Sequence, residues 1–283
     1  MTRAHDQVCL TPFDESPFPL RKGHAFFDQR DGARRGRTTR HGQVYWEDPT
    51  YSCRDVLLAV PADFDTTQAA TLVVYLHGNR ARLERDVLIR QQLVKQVRAA
   101  DINAVLVAPQ LALDAPDSSA GRFAQRGVFA RFLDEAAHRL GALGGTGAAP
   151  FRAARLIIIA YSGGYCPAAA ALAVGGVRTR VRGVVLLDAL YDHEALFAQW
   201  LAQHRRHAFL LSAYTHSTRT RNVHLRTLLK HGPVPPTLGL RAQLTPGTAC
   251  LVPLDGAVDH ADVVTRAWCD GPVTDVLRRT GRA

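Results

Sequence analysis

From Asp55 onward, short apolar runs alternate with stretches of helical periodicity. The runs are Val56–Val60, Leu72–Leu76, Ala104–Ala108, Leu156–Ala160, Val184–Leu187, Phe209–Ala213 and Cys250–Leu254. Several are continuous rather than alternating, the pattern of strands buried on both faces of a parallel sheet. Between them, Ile89, Leu93 and Val97 recur every fourth residue, and Phe129, Phe132, Leu133, Ala136 and Leu140 recur at three- and four-residue spacing. Each set lays an apolar stripe along one helix face. Strand–helix–strand alternation of this kind predicts an α/β fold, a mostly parallel sheet with helices on both faces. Ligand sites in such sheets lie at the carboxyl ends of the strands, so chemistry is expected there.

The 283 residues suffice for one large α/β domain. Residues 55–283 are expected to form it. Residues 1–54, rich in Pro, Gly and Arg, are expected to be an irregular arm packed on that domain, with one short strand near Gln43–Trp46. Hydrophobic residues make up 47% and charged residues 21%, a globular composition. No apolar run approaches the roughly 18 residues needed to span a bilayer. The first residues lack an apolar stretch before a small-residue cleavage site, so a cytoplasmic location is expected.

The formal net charge is +10, carried almost entirely by Arg. The one dense cluster is Arg30, Arg34, Arg35, Arg37 and Arg40. It lacks interleaved aromatics or a recognition helix, so a solvated arm is expected rather than a nucleic-acid surface. The five Cys show no CxxC spacing, which argues against a zinc knuckle or a disulfide framework. His204 and His207 have loose metal-like spacing, but no Cys or carboxylate set completes a site. They are expected at the surface. No metal, no cofactor, no nucleic-acid partner and no membrane span are expected; the partner is a small-molecule substrate.

The segment Leu156–Tyr165 carries the clearest chemistry. A buried strand runs into Ser162, with small residues two positions to either side, Ala160 and Gly164, and an Ala-rich helix follows from about Pro167 to Val174. A sharp strand-to-helix turn crowds the positions two before and two after its apex, so small residues are needed there. Such a turn lifts the Ser162 hydroxyl off the sheet edge and aims the Gly163 N–H at the same spot. The motif pattern is G-x-S-x-G, with Ala160 in place of the first Gly.

On these residues, and on Val73–Asn79 with its His77-Gly78 pair closing a strand, the chain from Asp55 onward resembles the α/β-hydrolases. The resemblance implies that Ser162 is a nucleophile and that Asn79 and Gly163 supply the two N–H groups of an oxyanion hole. It implies a base after the last strand. Of twelve His residues, His260 follows Cys250–Leu254 by a short loop and precedes a helix-like segment, Val263–Trp268. His77 is expected to support its loop. The acid most often follows the strand here read as Phe209–Ala213, but that strand ends in Tyr214, Thr215, His216 and Ser217, without a carboxylate. One strand earlier, Val184–Leu187 ends on Asp188, which is the choice for the acid; Asp192, Asp255 and Asp259 are its rivals, and a helix cap is its alternative role. The loop Ala108–Phe123, with Asp114, Asp117, Ser118, Ser119 and Arg122, is expected to border the cleft. Arg122 either holds a substrate carboxylate or pairs with Asp117. Ala195–Leu201 and Leu225–Leu229 could form a lid over an acyl pocket. The expected activity is hydrolysis of a carboxylic ester through an acyl-enzyme. The alternatives are an amidase or peptidase of the same fold, or a non-catalytic binding protein of that fold.

Overall fold

The computed structural model describes residues 5–20, 25–39 and 42–281. Among the described residues twelve strands form, in chain order: β1 (Gln7–Pro12), β2 (Gln29–Asp31), β3 (Arg34–Thr38), β4 (Val44–Trp46), β5 (Asp55–Val60), β6 (Thr71–Leu76), β7 (Ala104–Pro109), β8 (Arg155–Tyr161), β9 (Val181–Leu187), β10 (Phe209–Tyr214), β11 (Thr237–Leu238) and β12 (Ala249–Pro253). Nine of them make one sheet in the order β1-β5-β7-β6-β8-β9-β10-β12-β11. Only the β1–β5 and β5–β7 pairings are antiparallel; the others are parallel. Each apolar run named above falls on one of these strands, except that Leu254 lies one residue beyond β12.

The helices are α1 (Glu47–Thr50), α2 (Leu93–Ala99), α3 (Val128–Leu143), α4 (Ala149–Ala153), α5 (Tyr165–Val174), α6 (Glu194–His204), α7 (Arg219–Lys230) and α8 (Pro272–Thr280), with a π-helix at Leu83–Arg90. The sheet has two apolar faces and buries both. One face packs the α3 stripe of Phe129, Phe132, Leu133, Ala136 and Leu140 together with Phe197, Trp200 and Leu201 of α6 and Leu225 and Leu229 of α7. The other face packs Leu93 and Val97 of α2 and Val276 and Leu277 of α8.

The stripe Ile89–Leu93–Val97 does not hold as one helix face. Leu93 and Val97 are buried, but Ile89 is 64% exposed. Gln92 has a left-handed φ of 51°, which ends the π-helix and starts α2 in a new direction. Val263–Trp268 is likewise a series of turns with a bridge between Arg266 and Asp270. The helix begins later, where Gly271 (φ +69°) and Pro272 set up the N-terminus of α8.

The segment before residue 55 carries more regular structure than its composition suggests. β1 is the antiparallel edge of the main sheet, and β2, β3 and β4 form a separate three-stranded sheet. Three arginines of this segment stack on aromatic rings within the molecule, whereas Arg30 is exposed. Arg34 lies over the Trp46 ring at 4.3 Å, Arg35 over Phe27 at 4.8 Å and Arg37 over Phe26 at 4.1 Å. Arg35 Nε also donates to Glu47 at 2.8 Å. The fifth member of that cluster, Arg40, lies outside the described residues. No helix among the described residues is long and apolar enough to cross a membrane.

Candidate active site

β8 delivers Ser162 to the carboxyl edge of the sheet with φ +51°, a left-handed conformation that L-residues rarely adopt. Such strain persists only where the surroundings hold it. Here the turn is wedged from both sides. A Cβ on Gly164 would stand 2.2 Å from the Leu76 carbonyl oxygen, and a Cβ on Gly78 would stand 2.9 Å from the Ser162 Cβ. The smallness of the flanking residues is thus a packing requirement between β6 and β8.

His260 opens the turn His260–Asp262 beyond β12. Its Nε2 lies 2.9 Å from Ser162 Oγ, and its Nδ1 lies 2.6 Å from Asp188 Oδ2. Ionised Asp188 can only accept, so Nδ1 carries the proton and Nε2 accepts from Ser162.

Asp188 sits at the end of β9 with φ +45° and is fully buried. Its carboxylate accepts from the Thr215 N–H at 3.0 Å, Thr215 Oγ1 at 2.6 Å, Ser217 Oγ at 2.8 Å and Thr218 Oγ1 at 2.5 Å, besides His260. Burial pushes the carboxyl pKa up. The hydrogen bonds from His260, Thr215 and Thr218 outweigh burial and hold it well below the ordinary carboxylate range. The β10 end, where a carboxylate is absent, therefore supplies the hydroxyls around the carboxylate of its neighbour. The rivals stand elsewhere: Asp192, Asp255 and Asp259 are exposed, the first two accepting from nearby backbone N–H groups of His193 and Ala257.

Gly163, the second residue of its 3-10 turn, has an N–H without a partner inside the helix. Asn79 follows β6, and its side chain lies against Gly163: a Cβ there would stand 2.1 Å from Asn79 Oδ1 and 2.7 Å from Ser118 Oγ. Ser118 Oγ donates to Asn79 Oδ1 at 3.1 Å. These residues, with Pro116, Tyr165 and Tyr191, line a cleft of about 470 Å³ over Ser162.

The loop that carries His260 is held by three side chains that sequence reasoning missed. Tyr161 stacks on the His260 ring at 5.1 Å and 25°, and its hydroxyl donates to the His260 carbonyl at 3.1 Å. Burial pushes its phenol pKa up to about 12, so it remains a donor. Arg90, at the end of the π-helix, donates to the Ala261 carbonyl at 3.1 Å while its Nε donates to Asp86. Gln96 of α2 donates to the Val264 carbonyl at 2.9 Å.

His77 is buried, with Nδ1 donating to the Gly78 carbonyl at 2.7 Å and Nε2 accepting from Gln110 and from the Leu111 N–H, each at 2.9 Å. Burial lowers its pKa to about 4, so it is a neutral strut. Arg122 is neither a carboxylate receptor in the cleft nor a partner of Asp117. It donates to Glu15 at 2.8 Å and is only 12% exposed. Asp117 instead accepts from Tyr51 at 2.8 Å and pairs with Arg37 at 3.2 Å, tying the loop to the N-terminal segment. The segments Ala195–Leu201 and Leu225–Leu229 are not a lid, because their apolar residues are spent in the core. His204 and His207 are half-buried with rings 5.1 Å apart, rather than surface residues. Among the described residues, no cluster of three or more His, Cys, Asp or Glu could hold a metal.

No protein-family model matches the sequence, and no curated protein matches it. Solved structures do match in fold. A mutant of the feruloyl esterase module from Clostridium thermocellum, complexed with sinapinate, superposes with a TM-score of 0.53 at 12% identity, covering 100% of this chain and 97% of that one. A structure named FAE superposes with a TM-score of 0.54 at 12% identity, covering 81% of this chain and 83% of that one. Strand order, strand directions and these superpositions agree that the chain has the α/β-hydrolase fold.

Proposed function

We propose that the chain is a serine hydrolase that cleaves a carboxylic ester through an acyl-enzyme on Ser162. The observation that carries this reading is the continuous hydrogen-bond line from Ser162 Oγ through His260 to Asp188, at 2.9 and 2.6 Å, on a strained strand-to-helix turn. In the first half-reaction His260 Nε2 takes the Ser162 proton as Oγ attacks the carbonyl carbon. The oxyanion lies between the N–H groups of Asn79 and Gly163. The imidazolium then protonates the departing alkoxide. Asp188 keeps the proton on Nδ1 and stabilises the imidazolium charge. Water enters, loses a proton to His260 and frees the acid by the same path.

The ester reading over an amide draws on the esterase named among the matching folds. Labelling with a fluorophosphonate probe tests the nucleophile. The wild-type chain should label and Ser162→Ala should not, while its melting temperature stays within a few degrees. A folded wild-type chain that takes no label would favour a binding protein. Hydrolysis of short-chain esters against matched amides separates esterase from amidase.

A further inference from the structure

The hydroxyls beyond the triad have a forced direction. Asp188 is an acceptor only, so the Ser217 hydroxyl at 2.8 Å must spend its single proton on it. Thr215 Oγ1, 3.1 Å from Ser217 Oγ, spends its own proton on Asp188 at 2.6 Å and cannot donate to Ser217. The next hydroxyl in line is Tyr191, whose Oη lies 3.3 Å from Ser217 Oγ. Ser217 has no proton left to give, so Tyr191 is the donor in this contact; Ser162 Oγ, whose proton goes to His260, is the other acceptor that the phenol reaches. With its proton spent on either serine, the Tyr191 oxygen presents lone pairs to the cleft.

Tyr191 lines that cleft with Ser162 and stands edge-on to His260, with ring centroids 6.4 Å apart at 81°. The group protonated by His260 is the departing alcohol. Its oxygen leaves beside His260, whose ring Tyr191 borders. Resting on the reading of Ser162 as nucleophile, we infer that Tyr191 selects esters whose alcohol portion carries a free hydroxyl near the ester oxygen. Such a hydroxyl donates to Tyr191 Oη and completes the line Asp188, Ser217, Tyr191, substrate. A cationic donor is disfavoured by the net charge of +10.

A pair of acetate esters tests the direction of the proton: the 2-hydroxyethyl ester offers a donor, and the 2-methoxyethyl ester offers only an acceptor at the same place. The wild-type chain should favour the first in kcat/KM by about three- to tenfold, the range of one neutral hydrogen bond. Tyr191→Phe should bring the ratio close to one. Ser217→Ala removes the acceptor that orients the phenol proton, so the ratio should fall to one or below, whatever the absolute rate. A change that merely loosened the fold would slow both esters and leave the ratio in place. The inference is overturned by a wild-type ratio of one or less, or by either variant retaining the wild-type ratio. A wild-type chain that takes no fluorophosphonate and hydrolyses neither ester overturns the hydrolase reading, and the inference with it.

Discussion

Thr215 gives Asp188 both its backbone N–H and its hydroxyl, at 3.0 and 2.6 Å, across the carboxyl ends of two neighbouring strands. Parallel pairing of Ala213 with Leu187 sets this contact, because it brings the residues after β9 and β10 side by side. The carboxylate is stabilised by donors fixed in the fold rather than by water.

The first prediction concerns that carboxylate. Asp188→Asn should fold and still bind ligands in the cleft, but its amide lets His260 take the wrong tautomer. By the physics of serine triads, turnover should fall by as much as about 10⁴-fold. Asp255→Asn and Asp259→Asn should change kcat/KM less than threefold. The sign of the pH effect on stability follows from the depressed pKa. The contribution of Asp188 is fully present above the unfolded carboxylate value of about 3.9 and is lost as pH falls through the folded value. Melting curves of wild type and Asp188→Asn should therefore converge only at strongly acidic pH. Convergence already at pH 5 would sink the assignment.

His77 supplies the second. Its folded pKa of about 4 lies below the unfolded value of about 6.5, so protons favour the unfolded chain. Stability should be full at pH 7 and fall as pH drops from about 6.5 to about 4, by up to about 3 kcal/mol from this group. His77→Gln should flatten that part of the curve while lowering stability at neutral pH, where Gln110 and the Leu111 N–H lose their acceptor geometry. Urea titrations at pH 4.5 and 7.5 would measure it.

A third contrasts two adjacent glycines. A Cβ on Gly164 meets the backbone oxygen of Leu76, which cannot move without shifting β6; a Cβ on Gly163 meets the ends of the Asn79 and Ser118 side chains, which can swing away. Gly164→Ala should thus cost stability, on the order of 2 kcal/mol or more. Gly163→Ala should melt close to wild type yet lose at least tenfold in kcat, because it displaces the Asn79 side chain beside the N–H groups proposed to hold the oxyanion. Equal melting temperatures for the two variants would contradict this.

The fourth addresses the loop that carries His260. Tyr161→Phe keeps the stacked ring and removes the donor to the His260 carbonyl, and Arg90→Met removes the donor to Ala261. Each should lower kcat by three- to thirtyfold with little change in KM, since the lost contact positions a reacting group. Combined, they should lose less than the product of the single effects, because both restrain one loop. Loss confined to KM would place their role in substrate binding instead.

The architecture was legible where burial makes the pattern local. A run such as Leu156–Ala160 reads as a two-sided strand, and the small residues around Ser162 follow from the crowding of a sharp turn. Asp188 was legible as the residue closing the run Val184–Leu187, and in the fold it follows β9 within reach of His260. What could not be read were contacts set by register. Thr215, Ser217 and Thr218 are ordinary polar residues until β10 lies beside β9, although a hydroxyl-rich strand end next to an acid-bearing one is a signal worth weighing. Tyr161 occupies the variable position before Ser162, and only the return of the chain 99 residues later brings the His260 carbonyl to its hydroxyl. Ile89 misled because one left-handed residue, Gln92, is invisible to a periodicity count.

The anchoring of the N-terminal segment has a consequence for the wall of the cleft. The amides of Asp14 and Glu15 both donate to Glu135, 121 and 120 residues further on. Arg122 reaches back to Glu15, and Asp117 is gripped by Tyr51 and Arg37. Asp117 lies next to Ser118, so Tyr51 and Arg37 join the N-terminal segment to one wall of the cleft. His260 is held from the other side of the molecule, by Tyr161 and by the Arg90 contact to its neighbour Ala261. Loosening the N-terminal segment would therefore unsettle the Ser118 wall while Ser162 and His260 keep their own restraints.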